Sequence, residues 1–248
     1  MIQLQQYLDS TYLKTPDQAS ITKEETLSIL KSLTDESTEN NIFAVMIRPD
    51  FVKYIRQYLN EKKSEVILGT VIGFPEGTFT EIEKLEEAKQ AIYDGADELD
   101  FVINYEAFKK GEIHLVQNEF INCTSLALKN HKVAKWIIEI AALNDFQIAD
   151  ICQRISTWAK ENFQENQLEN IFIKSSTGFY RTENGKQNGA TLVGIKIMLE
   201  NSNGLPVKAA GGVKTYKDAL EMINLGVTRI GTSSAKALLE NSANEGNY

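Results

Sequence analysis

Residues 65–104 read EVILGTVIGFPEGTFTEIEKLEEAKQAIYDGADELDFVIN and hold a strand, a helix and a second strand in that order. The run at 65–73 and the run ELDFVIN at 98–104 are apolar almost throughout, as expected of strands covered on both faces in a parallel sheet. Between them, TEIEKLEEAKQAIYDGA has helical periodicity. Thr80 with Glu83 three residues later has the spacing of a capping box, and Gly95 marks the stop.

The same unit recurs in both directions. Apolar runs stand at LDSTYL (8–13), IFAVMI (42–47), AKWIIEI (134–140), NIFIKSS (170–176), LPVKAAG (205–211) and RIGTSS (229–234). Helical stretches separate them, such as TKEETLSILKSL after Ile21 and PDFVKYIRQYLNEKK, where Pro49 suits a first turn. A strand followed by a helix, eight times over, predicts a single α/β domain over residues 1–248, folded as a (β/α)8 barrel, with an open doubly wound sheet as the alternative. The tail from about residue 241 is expected to fray, and the segment 178–191 is the longest without periodicity.

A net charge of -8 argues against a general nucleic-acid binder, which needs a clustered basic surface. It does not exclude a small anionic ligand. The N-terminus lacks an export signal and no apolar run approaches membrane-spanning length, so a cytoplasmic location and no membrane partner are expected. Cys123 and Cys152 read as free thiols, and His114 and His131 as surface residues, without metal-ligand spacing.

Within this frame, Lys174 follows Ile171, Phe172 and Ile173, where an ammonium would have to leave water. The eight-strand count puts Lys174 on the sixth strand and Lys208 on the seventh, which makes them neighbours. Two buried ammonium groups disfavour each other's charge, and desolvation acts in the same direction. A lysine at its reference pKa is neutral to about 0.04% at pH 7, whereas one near ~7.5 is about a quarter neutral and nucleophilic. Asp100, on the fourth strand, can face Lys174 across the lumen, and Asp9 on the first strand can also point inward. Gly211 and Gly212 after the seventh strand, and Gly231, Thr232, Ser233 and Ser234 after the eighth, fall where barrels hold a phosphate.

The motifs LDSTYLK, VIGFPEGT, GADELDFVIN, KWIIE, FIKSSTGF, GAT, VKAAGGVKT and RIGTSS together resemble the deoxyribose-phosphate aldolase family, class I aldolases with a (β/α)8 fold. The resemblance implies that Lys174 forms a Schiff base, that Lys208 lowers its pKa and that Asp100 relays protons. It further implies phosphate contacts at Gly178, Gly211, Gly212, Gly231, Ser233 and Ser234, with Asp9, Thr11, Lys135, Glu139 and Thr177 in support. The implied reaction cleaves 2-deoxy-D-ribose 5-phosphate to glyceraldehyde 3-phosphate and acetaldehyde and needs no metal or organic cofactor. The expected partners are phosphosugar and aldehyde substrates, and the resemblance implies a homodimer, with a monomer as the alternative.

Rival readings are a Schiff-base aldolase for another phosphosugar and a non-catalytic phosphosugar-binding barrel. The chain departs from the family pattern at Met46, commonly cysteine, at Arg48, often asparagine, and at Ile140, where the family has threonine after the glutamate. Its loop after STGF is longer than in many members.

Overall fold

The computed structural model describes residues 2–183 and 187–245, with side chains described as far as Glu240. Eight parallel strands close into a barrel in sequence order. They are β1 (Leu8–Thr11), β2 (Ala44–Ile47), β3 (Ile67–Ile72), β4 (Glu98–Val102), β5 (Val133–Ile137), β6 (Ile171–Lys174), β7 (Val207–Ala210) and β8 (Arg229–Thr232). Each pairs with the next, and β1 pairs with β8, Leu8 lying opposite Ile230. The open-sheet alternative is thereby excluded.

The helix starts follow their sequence signals. Thr80 accepts from the backbone of Glu83, whose carboxylate accepts in return from the Thr80 N–H at 2.7 Å, and Thr22 and Glu25 do the same. The helices Glu81–Tyr93 and Lys23–Glu39 begin at these boxes. Pro49 opens a short 3-10 turn, Pro49–Phe51, that leads into the helix Val52–Lys62.

The main hydrophobic core lies between the barrel wall and the helices. Phe101 on β4 stacks on Trp136 on β5 with centroids 5.0 Å apart, and the indole N–H donates to Thr124 Oγ1 at 2.9 Å. Each ring is fully buried, and such burial contributes roughly 2–3 kcal/mol. With Phe101 and Trp136 facing outward, the pleat turns Asp100 and Lys135 into the barrel.

The strands are two or three residues shorter than the apolar runs that predict them, and three boundaries differ for a physical reason. The fifth strand ends at Ile137, and Glu139 has left-handed backbone (φ 54°) leading into the 3-10 turn Ile140–Ala142. A buried turn is as apolar as a strand, so a run of Ile does not separate the two. Gly231 and Thr232 belong to β8 itself, leaving Ser233 and Ser234 as the turn. The last helix, Ala235–Glu245, continues past Glu240, since a helix anchored by buried Leu238 propagates at little cost. Residues 184–186 of the long loop and 246–248 of the tail lie outside the described residues.

Candidate active site

Barrel interiors are usually filled by branched apolar side chains. This one holds an ionic cluster, built from Asp9 on β1, Glu98 and Asp100 on β4, Lys135 on β5, Lys174 on β6, Lys208 on β7 and Arg229 on β8, all buried. Asp100 lies at its centre. Its Oδ2 accepts from Lys174 Nζ and from Lys208 Nζ, each at 2.8 Å, and its Oδ1 accepts from Lys135 Nζ at 3.0 Å.

Below that layer, Lys208 Nζ also lies 2.6 Å from Asp9 Oδ2, and Lys135 pairs with Glu98. Arg229 bonds Asp9 and reaches Glu98 at 3.2 Å, while its guanidinium covers the Phe43 ring. The strand register accounts for this arrangement, with Lys174 opposite Lys208, Lys208 opposite Arg229, and Asp100 opposite Lys135.

Four cations thus face three carboxylates. Lys174 is the outermost cation, and of the seven residues it is the one that lines the open cavity. Burial lowers its amine to about 8, Asp100 opposes that shift, and Lys208 and Lys135 reinforce it. A neutral Lys174 leaves the remaining charges balanced. Burial works against the Lys135 ammonium as well, but Asp100, Glu98 and Asp9 raise its pKa above the ordinary lysine value. Burial also opposes ionisation of Asp100, yet Lys135, Lys174 and Lys208 hold it well below the ordinary carboxylate range. Asp9 is likewise held low, by Arg229, Lys208 and Lys135 against its burial.

Above Lys174 opens a cavity of about 490 Å³. Of the residues expected from sequence, Thr11, Thr177, Gly178, Gly211, Gly212, Gly231, Ser233 and Ser234 line it together with Lys174. Asp9, Asp100, Lys135, Lys208 and Glu139 lie beneath or behind its wall, buried. Gly211 has φ 75° and Gly212 φ 82°, conformations that suit glycine. A Cβ on Gly189 would come within 2.4 Å of the Gly211 carbonyl carbon, so the far end of the long loop rests directly on the glycine pair. Gly231 serves Lys208, because a Cβ there would press on Lys208 Cε at 3.3 Å.

Glu139 shapes the turn after β6. Its Oε2 accepts from the Thr177 hydroxyl and from Thr177 N at 3.0 Å, and Thr177 Oγ1 accepts from Phe179 N at 3.0 Å. Burial raises the Glu139 pKa although the Thr177 bonds oppose it.

Sequence reasoning missed Glu98, Arg229, Asn188, Lys14 and Lys214. Glu98 stands two residues before Asp100 and Arg229 two before Gly231, so the period of the strand was an available signal. Lys14 and Lys214, which line the cavity mouth, end the motif LDSTYLK and follow the glycine pair in VKAAGGVKT. Asn188, which donates to Gly178 O at 3.1 Å, had no sequence signal. Met46 is buried inside the barrel against Gly69, where an added Cβ would overlap its sulfur. Cys123 and Cys152 are buried free thiols.

Residues 4–239 match the DeoC/LacD family aldolase profile. A deoxyribose-phosphate aldolase from Thermococcus kodakarensis is 37% identical over 244 residues, covering 98% of each chain. One from Streptococcus pneumoniae is 34% identical over 248 residues, covering all of both. Among solved structures, an aldolase named QR15 superposes with a TM-score of 0.82 at 30% identity, covering 99% of this chain and 98% of that one. A deoxyribose phosphate aldolase from Aeropyrum pernix, described as a unique tetramer, gives 0.77 at 26% identity over 97% and 91%.

Proposed function

This chain belongs to the DeoC/LacD aldolase family, and from that premise we propose that it is a class I deoxyribose-phosphate aldolase acting through a Schiff base on Lys174. The observation that carries the assignment is the place of Lys174. It alone of the interior ionic cluster reaches the cavity, and its amine is lowered to about 8. At pH 7 that leaves roughly a tenth of the amine neutral, a few-hundredfold more than an ordinary lysine offers.

In this reading the neutral amine adds to C1 of 2-deoxy-D-ribose 5-phosphate, and loss of water gives an iminium. The C3 hydroxyl then loses its proton and the C2–C3 bond breaks. Its electron pair enters the iminium to form an enamine, and glyceraldehyde 3-phosphate leaves. Protonation at C2 and hydrolysis release acetaldehyde and restore the amine. The iminium is the electron sink, so this chemistry calls for no metal or organic cofactor.

Asp100 is a weak base, because Lys135 and Lys208 each donate to one of its oxygens even when Lys174 is neutral. Its part is to hold Lys174 and Lys208 on one oxygen, so that protons pass along that chain and through water rather than resting on the carboxylate. The phosphate sits on the backbone amides of Gly178, Gly211 and Gly212 and on Ser233 and Ser234, with Lys14 and Lys214 at the mouth. Thr11, Thr177 and Glu139 shape the wall, and Asp9 and Lys135 hold the charges beneath it.

The whole chain is one domain in this reading, assembled as a homodimer, and a phosphorylated substrate suits a cytoplasmic enzyme. No helix among the described residues is long and apolar enough to cross a membrane. Borohydride reduction with 2-deoxyribose 5-phosphate, followed by peptide mass spectrometry, tests the assignment. An adduct on Lys174 is expected, and its absence, or an adduct on a different lysine, would overturn it.

A further inference from the structure

The cavity is lined from one half of the barrel. Its walls come from the ends of β1, β6, β7 and β8 and the loops after them, with no contribution from β2 to β5. Yet Asp100, the main partner of Lys174, stands on β4 in the other half.

Two adjacent aromatic residues roof that half. Phe179, on the loop after β6, crosses the mouth to meet Phe74 after β3, centroids 5.2 Å apart and edge to face. Tyr180 reaches Tyr105 after β4 at 6.1 Å in the same geometry. Strands β3 and β6 are three apart in a ring of eight and β4 and β6 two apart, so both contacts reach past the neighbouring loop, and the Phe179–Phe74 contact reaches well across the barrel mouth.

Arg48, after β2, secures the far side. Its guanidinium lies 4.7 Å from the Phe74 ring centroid and 5.9 Å from that of Phe179, donates to Phe74 O at 3.3 Å, and its Nε donates to Leu13 O at 2.8 Å. The loop bearing Phe74 is itself fixed from behind, where Lys84 Nζ donates to Gly77 O, Val102 O and Glu119 Oε1 at 2.7–2.8 Å.

We propose that the Phe179–Tyr180 bridge, held by Arg48, Phe74 and Tyr105, is the wall that restricts the donor fragment of the substrate to two carbons. This rests on the aldolase reading above. With the carbonyl carbon on Lys174 and the phosphate at the ends of β7 and β8, the sugar chain occupies the open half. Any substituent on the carbon next to the imine must then point the other way, under the bridge. Acetaldehyde has only hydrogens there, and propanal has a methyl.

The test is aldol addition to D-glyceraldehyde 3-phosphate, comparing kcat/KM for propanal and acetaldehyde as donors. In Phe179→Ala the propanal to acetaldehyde ratio is expected to rise about tenfold or more, the discrimination one methyl group commands in an apolar pocket. Arg48→Ala should move the ratio in the same direction, and Arg48→Lys, which keeps a cation over Phe74, should restore much of it. If Phe179→Ala does not fold, Tyr180→Ala and Arg48→Ala decide the matter. An unchanged ratio in the folded variants overturns the proposal. Borohydride trapping of acetaldehyde on the wild type separates the two failures: no adduct on Lys174 sinks the aldolase reading, whereas an adduct with an unchanged ratio sinks this inference alone.

Discussion

Replacing Lys208 by Met removes a cation that shares Asp100 Oδ2 with Lys174. Both nitrogens lie 2.8 Å from that oxygen, so they stand no more than about 5.6 Å apart. At an effective dielectric constant of about 20, two unit charges at that separation repel by about 3 kcal/mol, equivalent to roughly 2 pKa units. Without Lys208 the Lys174 pKa should rise from about 8 to roughly 10. Because the amine must be neutral to attack, raising its pKa moves the acid limb of the kcat/KM profile to higher pH. At pH 7 the neutral fraction falls from about 9% to about 0.1%, a loss of roughly a hundredfold. At pH 9.5 it falls from nearly all to about a quarter, a loss of only about fourfold. Rates of iminium trapping measured from pH 6 to 10 would show this convergence. Equal losses at both ends would mean that Lys208 acts through something other than the charge of Lys174.

The same imbalance of charge predicts a conflict between activity and stability. Lys174→Met should abolish turnover yet stabilise the fold at pH 7 by on the order of 3 kcal/mol, because it removes an amine lowered from 10.5 to about 8. The unfolded chain binds more protons than the folded one between those values, so wild-type stability catches up as pH rises from 8 to 10.5. Urea denaturation at pH 7 and pH 10 would measure the gap, and a gap that does not narrow would refute the argument. Gly211→Ala places a Cβ 3.0 Å from Gly189 Cα on backbone at φ 75°. KM for the phosphorylated sugar should rise about tenfold with little change for unphosphorylated 2-deoxyribose, since the damage is to the anion seat. Equal changes for both substrates would instead place the damage at the lysine. Met46 pairs in register with cavity-lining Thr11, and a thiol there could add to unsaturated aldehydes, so Met46→Cys should lose activity faster than wild type in concentrated acetaldehyde. Matching inactivation rates would rule that out.

The order of the elements was legible in the amino-acid sequence alone, and so was Lys174 as the candidate for the reacting lysine. Continuous apolar runs such as 65–73, separated by capped helices, allow few folds besides a parallel barrel, because each strand must be covered on both faces. Lys174 stood out because an amine that ends the apolar run IFIK has to leave bulk water.

The partners of that lysine were decided by tertiary structure. Asp100 lies 74 residues away in the chain, and Arg229 lies 220 residues from Asp9, its own partner. A period of two says which residues share a face of a strand but not which face closes inward, nor how deep each charge sits. Glu98 and Arg229 therefore gave no sign of completing a cluster of four cations and three carboxylates. The same holds for Phe179 and Tyr180. Their loop follows β6, and only the curvature of the barrel wall brings it over Phe74 and Tyr105, three and two strands away. Local patterns fix local structure because they reflect backbone geometry and burial along a few residues. The electrostatics of the site depend on distances between strands, which exist only once the barrel has closed.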